Sequence, residues 1–331
     1  MAASNDLTEP LVAQPQAQSE ATGADAAVRP DSVRPAQSWK LVAFIFFIVS
    51  FIETFTLGQL FAFLPIYLQE QMGLAKDQAA TLTGLVVPLV FLVGLPLIPF
   101  WGVWADKYSR KVIIARSAFI EALVFLFVGL SQNPLQLALS IALAGFQLGN
   151  TGVMLAALRS VTPVKRVGFA LSIVGVAGPL GFAVGPQLGG FLTDAHIVDL
   201  RGLFFISAAL SVLSGLLVTF AYHEPPRAVK VEGSIGQLAW GALKGVVTVR
   251  VTLLIFAVAA VLILAWQMAR PFVPLLVQNV HPDPATLNSA IGLVVGTAAL
   301  LGALLTPITG VLGDRFGYRR LLGICAAGTA V

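Results

Sequence analysis

Residues 102–111 read GVWADKYSRK, and residues 310–319 read GVLGDRFGYR. Each copy holds a glycine, an aspartate four residues later, a cation directly after it, an aromatic residue and further cations. Each also follows about twenty apolar residues, enough to cross a bilayer as a helix. The likeness spreads outward from the phrase. Gly84-Leu85-Val86-Val87 recurs as Gly292-Leu293-Val294-Val295, Gly94 as Gly302, Pro99 as Pro307, Gly102 as Gly310 and Asp106 as Asp314, all at one offset. Upstream, FLPIYLQ at 63–69 returns as FVPLLVQ at 272–278. Two apolar segments and the loop beyond them are therefore written twice in the same orientation, with four segments between the copies. That is a parallel repeat of six-segment units.

Composition agrees with this reading. The chain is 57% hydrophobic and only 11% charged, with mean hydropathy +0.88, a balance that a fold in water does not keep. Apolar segments recur at 41–69, 82–103, 112–131, 134–157, 167–191, 202–222, 252–278 and 288–311. Each can span the hydrocarbon as a helix. A further run from Leu321 to Val331 is too short to span, so the native protein is expected to continue for about three and a half further helices. The fold class is an all-α polytopic membrane protein with an incomplete second unit. Residues 1–40 are expected to be a disordered cytoplasmic tail, 41–222 a six-helix bundle, and 223–250 a central cytoplasmic loop. Residues 251–331 then begin a second bundle with helices 7 and 8 and part of helix 9. Within the loop, Ile235, Leu238, Ala239 and Ala242 share one helical face, as in a short helix lying on a membrane surface.

The net charge of +4 does not point to nucleic acid, because the cations lie between apolar runs and not on a soluble face. They report topology instead. Of the twenty Lys and Arg residues, all but Lys76, Arg201 and Arg270 fall before the first segment or around the loops after segments 2, 4, 6 and 8. The positive-inside bias therefore expects the N-terminus and those loops in the cytoplasm, and the protein in the plasma (inner) membrane. The single cysteine, Cys325, excludes an internal disulfide. CxxC, HExxH and GxxxxGK[ST] spacings are absent, so no metal, cofactor, nucleotide motor or enzymatic chemistry is expected.

The loop phrase resembles the signature GxxxD[RK]xG[RK][RK] of the major facilitator superfamily of secondary transporters. Gly102, Asp106, Lys107, Arg110 and Lys111 match it, with Ser109 at the second glycine. In the later copy Gly310, Asp314, Arg315, Gly317 and Arg319 match, shifted by one at the first terminal cation. The resemblance covers nearly the whole chain after residue 40. It implies two six-helix bundles, transport by alternating access, and an aspartate that latches the bundles on the cytoplasmic side. Read from the residues alone, the cations could simply fix topology.

Segment 5 contains GPLGFAVGPQLGGFL, in which Gly181, Gly185 and Gly189 form one glycine face open to close helix packing. The phrase is similar to the helix-5 signature of the superfamily's drug/proton antiporters at Gly181, Gly185, Pro186, Gly189 and Gly190, with Ser172 at the first glycine. Many proton-coupled members place an arginine in helix 4 four residues before a glycine; here that position, before Gly149, is Gly145.

Interior charges are few: Glu53, Glu121 and Arg270. Each costs about 2.5–3.5 kcal/mol at mid-membrane on insertion scales, and such residues face a bundle interior or water. Glu53 is the first candidate for carrying a coupling proton and Glu121 the second. The resemblance implies that helices 1, 4 and 7 line the central cavity. Their polar residues Thr56, Gln59, Gln147, Asn150, Thr151, Gln267 and Arg270 are the candidates for substrate contact, and helix glue is the alternative for each. The expected function is proton-coupled efflux of small hydrophobic compounds, with small-molecule substrate, protons and lipid as partners. An uptake or facilitative carrier for a metabolite, or an inactive truncated membrane protein, are the alternatives.

Overall fold

The computed structural model describes residues 37–225, 233–248 and 269–317, together with 250, 253–255, 257–258, 261 and 323. Most of the expected tail, Gln267 and Arg319 lie outside the described residues. All regular structure among the described residues is helical.

Helix α1 (Trp39–Met72) ends where Gly73 turns left-handed, φ 65°, and returns its N–H to the Leu68 carbonyl. Glycine takes that conformation without the clash a Cβ brings. Helix α2 (Lys76–Gly94) passes through a 3₁₀ turn at Leu95–Leu97 into α3 (Ile98–Lys107). Pro96 and Pro99 cannot donate to the helical ladder there. Helix α4 (Arg110–Leu130) follows at once. The fourth crossing is divided into α5 (Pro134–Leu143), a 3₁₀ turn at Ala144–Gln147 and α6 (Asn150–Val161). Then come α7 (Val167–Asp194), α8 (Leu200–Ala221), α9 (Ile235–Thr248), a 3₁₀ turn at Arg270–Phe272 running into α10 (Val273–Val280), and α11 (Leu287–Phe316). Among the described residues, seven stretches are long and apolar enough to cross a membrane: Trp39–Met72, Lys76–Lys107, Arg110–Leu130, Pro134–Val161, Val164–Asp194, Leu200–Ala221 and Pro284–Leu305. Of the seventh apolar segment, 252–278, only the end from residue 269 onward is continuously described.

Packing centres on α7, which lies between α1 and α11, while α4 pairs with α8. One buried cluster gathers Phe63, Tyr67, Phe125 and Phe204, with the Tyr67 hydroxyl donating to the Val128 carbonyl at 2.9 Å. A second gathers Phe46, Ile114, Met154 and Tyr222 toward the other end of α1. Between them lies the polar cluster described below.

The glycine-aspartate loop is held by an acidic residue that the sequence reading passed over. The Glu224 carboxylate accepts from Ser109 Oγ at 2.7 Å and from the backbone N–H groups of Arg110 and Lys111 at 3.1 and 3.2 Å. Ser109 is the N-cap of α4, its Oγ also accepting from Val112 N at 3.2 Å. A carboxylate on the orphan donors of a helix N-terminus satisfies both their hydrogen bonds and the dipole. Asp106 takes a two-pronged contact from Arg110, 3.0 and 3.3 Å, and Arg110 also reaches the Ala156 carbonyl. Helix α9 packs against α3 with Ala239 buried, so at least this part of its apolar face meets protein, while Trp240 is exposed.

Candidate functional site

The fourth crossing is not one continuous helix. Gly145 meets α2 backbone to backbone: a Cβ there would overlap the Val90 carbonyl oxygen and the Gly94 nitrogen. A Cβ on Gly94 would in turn overlap the Gly145 carbonyl oxygen. This crossing leaves no room for the arginine that the resemblance puts at residue 145. Gly149 then adopts φ 94°, and α6 starts afresh at Asn150. Ser117 of α4 braces the break, donating to the Gln147 carbonyl at 3.2 Å.

The break turns two amides onto one carboxyl. Gln147 Nε2 donates to Glu53 Oε1 and Asn150 Nδ2 to Glu53 Oε2, both at 3.2 Å. The N-terminus of α6 opens at the same place, so backbone dipoles reinforce the amides. One turn along α1, the Thr56 hydroxyl lies 2.8 Å from Glu121 Oε1 and 2.9 Å from the carbonyl oxygens of both Ile52 and Glu53. Gln147 and Ser211 stand beside Glu121, and the two carboxyls are close enough for charges on them to repel. Glu121 is 1% exposed, Thr56 0%, Gln147 4% and Asn150 3%, so this is an internal network and not a solvated rim. Among the described residues, the buried Asn150 Oδ1 meets no donor.

Glu53 and Glu121 enter the sequence reading as rivals on different helices; the structure brings them together through Thr56 and Gln147. The other candidates separate. Gln59 is a brace, donating to the Gly185 carbonyl at 3.3 Å and accepting from Ser207 at 2.8 Å. Thr151 is exposed and stands apart, because the unwound turn removes the continuous helical face that would align it with Gln147. Arg270 lies beside Phe61, which follows Glu53 by eight residues along α1. Its guanidinium sits 4.1 Å from the Phe182 ring centroid and 5.4 Å from that of Phe61. For the second loop copy, Asp314 and Arg315 fall in the last turn of α11 and Gly317 follows with φ 86°.

Around α7, Gly181 and Gly185 face α1, and a Cβ on either would overlap α1 backbone at Phe51 or Phe55. Gly189 faces Phe63, Leu203 and Gln59. Gly190 faces α11 instead, against the Asn288 carbonyl. At the end of α7, Asp194 accepts from the N–H groups of Asn288 and Ser289 at 3.3 and 2.6 Å, capping α11. Nearby, Gln69 and Gln278 exchange amide hydrogen bonds at 3.3 and 3.0 Å. These two glutamines are the matching ends of the repeated FLPIYLQ and FVPLLVQ phrases. Asp194, like Glu224, carries no sequence motif; an acidic residue just after one apolar segment is the only signal either offers.

Membrane-crossing helices, one of them unwound beside buried polar side chains, are the architecture of a transporter. The chain belongs to the Major Facilitator Superfamily, whose sequence model matches residues 42–331. It is 32% identical over 290 residues to the multidrug resistance protein MdtG of Citrobacter koseri, covering 86% of this chain and 69% of that protein. With MdtG of Proteus mirabilis the identity is 29% over 290 residues, covering 86% and 70%. Among solved structures, a mutant form of the nucleoside transporter NupG aligns with TM-score 0.67 at 16% identity, over 83% of this chain and 69% of that one. A bacterial homologue of the lysosomal transporter Spinster, inward-facing and unoccupied, aligns with TM-score 0.63 at 18% identity, over 85% and 64%. At those identities the structures speak to the fold alone.

Proposed function

We propose that this protein exports small, largely hydrophobic compounds in exchange for protons, by alternating access of a central cavity between the two sides of a plasma (inner) membrane. It acts as a carrier and not as an enzyme. Residues 41–222 form the first bundle, 251–331 begin the second, and 223–250 tether them. The N-terminus and the loop at Gly102–Lys111 lie in the cytoplasm, where Lys107, Arg110 and Lys111 meet the anionic leaflet and Asp106 takes part in closure. The multidrug resistance names of the relatives support the export direction.

The observation that carries the proton reading is the oxygen environment of Thr56. Its hydroxyl has one proton of its own and three acceptor oxygens within 2.9 Å, one of them Glu121 Oε1. A proton on Glu121 completes this network, because Thr56 can then donate to a carbonyl and accept from the acid. Glu53, held by amides and not by a fixed cation, can change charge without breaking an ion pair. The pair therefore suits a group that takes a proton on one side and releases it on the other.

The test is drug uptake into inside-out proteoliposomes driven by an imposed pH gradient, with energy-independent exchange of labelled substrate measured alongside. Glu53→Gln is expected to lose the proton-driven component by about a hundredfold or more, as loss of a transition-critical group does, while exchange persists. Full proton-driven transport by that variant would take Glu53 out of the coupling step and leave Glu121 as the carrier.

A further inference from the structure

The guanidinium of Arg270 stands apart from the acidic cluster and rests on π faces, 4.1 Å from the Phe182 centroid and 5.4 Å from that of Phe61. The position is built. Gly58 of α1 has no side chain to keep the Phe182 ring away, since a Cβ there would lie 3.1 Å from that ring. Phe182 projects from α7 one residue after Gly181, which itself packs on α1 backbone. Arg270 begins the 3₁₀ turn that runs into α10, with Pro271 buried behind it and Phe272 lying over Gly84 of α2. Aromatic faces attract a guanidinium but accept none of its five N–H groups in the manner of an oxygen.

Its counter-charge is missing from the described residues. The interior carboxyls among them are Glu53, engaged by Gln147 and Asn150, and Glu121, engaged by Thr56. The ion pair found among the described residues is Arg110–Asp106, in the loop. Phe61 lies eight residues from Glu53 along α1, about 12 Å at 1.5 Å per residue. A half-buried guanidinium at a 3₁₀ turn, flanked by rings and spaced from the acidic cluster, has the parts of a receptor for an organic anion: a planar fork for a carboxylate, and aromatic walls for the body attached to it.

We propose that Arg270 is a specificity-determining residue and that the transported compounds include amphiphilic monoanions, an aromatic or alicyclic body bearing one carboxylate, with the acid on Arg270 and the body against Phe182 and Phe61. This rests on the transporter reading above, but it concerns recognition and not coupling, and equilibrium binding separates the two. The probe is 2-naphthoate, with 2-naphthamide as its neutral match in shape, titrated calorimetrically into the purified full-length protein in detergent. The parent protein should bind naphthoate at least tenfold more tightly than the amide, the scale of a charge-assisted hydrogen bond. Arg270→Gln should remove that preference and leave amide binding within about twofold, while Arg270→Lys should retain part of it. Phe182→Leu should weaken both probes together. Glu53→Gln should keep the preference even where it has lost proton-driven transport. Size-exclusion profiles of each variant report folding. Equal binding of acid and amide by the parent, binding of neither, or an Arg270→Gln variant that still prefers the acid would each overturn the assignment. Arg270→Lys, the conservative variant, supplies the decisive comparison if Arg270→Gln does not fold.

Discussion

Helix α7 shows glycine to two neighbours, and the two contacts are locked differently. Toward α1, Gly181 and Gly185 lie on backbone at Phe51 and Phe55, and the contact is braced from within: Gln59 donates to the Gly185 carbonyl and accepts from Ser207, with Gln59 1% and Ser207 0% exposed. Toward α11, Gly190 lies on the Asn288 carbonyl, while Gly292 and Gly296 lie on the carbonyls of Pro186 and Ala183. Here the lock is at the rim, where Asp194 caps α11 and Gln69 pairs with Gln278 in half-buried surroundings. Further along α11, a Cβ on Gly302 would meet no described atom within 4 Å. A brace buried at full depth must be broken without water to replace it, whereas a rim contact exchanges its hydrogen bonds for solvent. The first face is suited to permanence and the second to opening, as alternating access requires of helices within and between bundles.

The sharpest way to break this comparison is to put the same side chain on both faces. Gly185→Leu drives a side chain into α1 backbone that cannot retreat, and overpacking against backbone should cost more than about 3 kcal/mol. We expect no monodisperse peak on size exclusion and little protein in the membrane. Gly190→Leu makes an equally severe overlap with the Asn288 carbonyl, yet α11 can move away. That variant should insert and elute normally with the seam held apart. Ala290→Cys, half-buried beside the seam, can report it in a Cys325→Ser background. Its labelling by an impermeant maleimide should rise about tenfold in the Gly190→Leu variant, the equivalent of about 1.4 kcal/mol shifted toward the open form. If both leucine variants collapse alike, the two faces do not differ in permanence.

Much of this arrangement was legible in the sequence, and the parts that were not have physical reasons. Apolar length and the repeated loop phrase carry the membrane fold, because a bilayer imposes helices of known length. Gly181 and Gly185 stand on one helical face by spacing alone, and α1 lies along that face. Gly190 reads as part of the same motif but points to another helix, since one residue rotates the direction by about 100°. The acidic cluster was half legible: Glu53 and Glu121 stood out as interior charges, but spacing along single helices cannot show that Thr56 and Gln147 join them. Nor could periodicity reveal the break at Gly149, beside which Gly145 crosses Gly94 of another segment. Thr151 drops away from the cluster for the same reason. Glu224 and Asp194 act on helices far away in sequence, and no local pattern marks a cap supplied from a distance.

The finest test of the comparison removes only the rim charge. Asp194 accepts from two consecutive N–H groups at the start of α11, whose dipole favours a negative charge there. Asp194→Asn keeps the shape and one acceptor oxygen but loses the charge and the second acceptor. A side-chain cap is worth about 1 kcal/mol, and part of it survives in asparagine, so the closed seam should weaken by about 0.5–1 kcal/mol. Through the Ala290→Cys reporter this is a two- to fivefold rise in labelling, smaller than that from Gly190→Leu, with folding and yield unchanged. Asp194→Ala should exceed it by removing the acceptors altogether. The α1 face supplies the control, for Ser207→Ala should leave labelling at Ala290 where it was, its hydroxyl serving the buried brace to Gln59 and the Leu203 carbonyl of its own helix. Unchanged labelling in both Asp194 variants would make the cap incidental, and the seam would then be held by the glycine contacts and the Gln69–Gln278 pair alone.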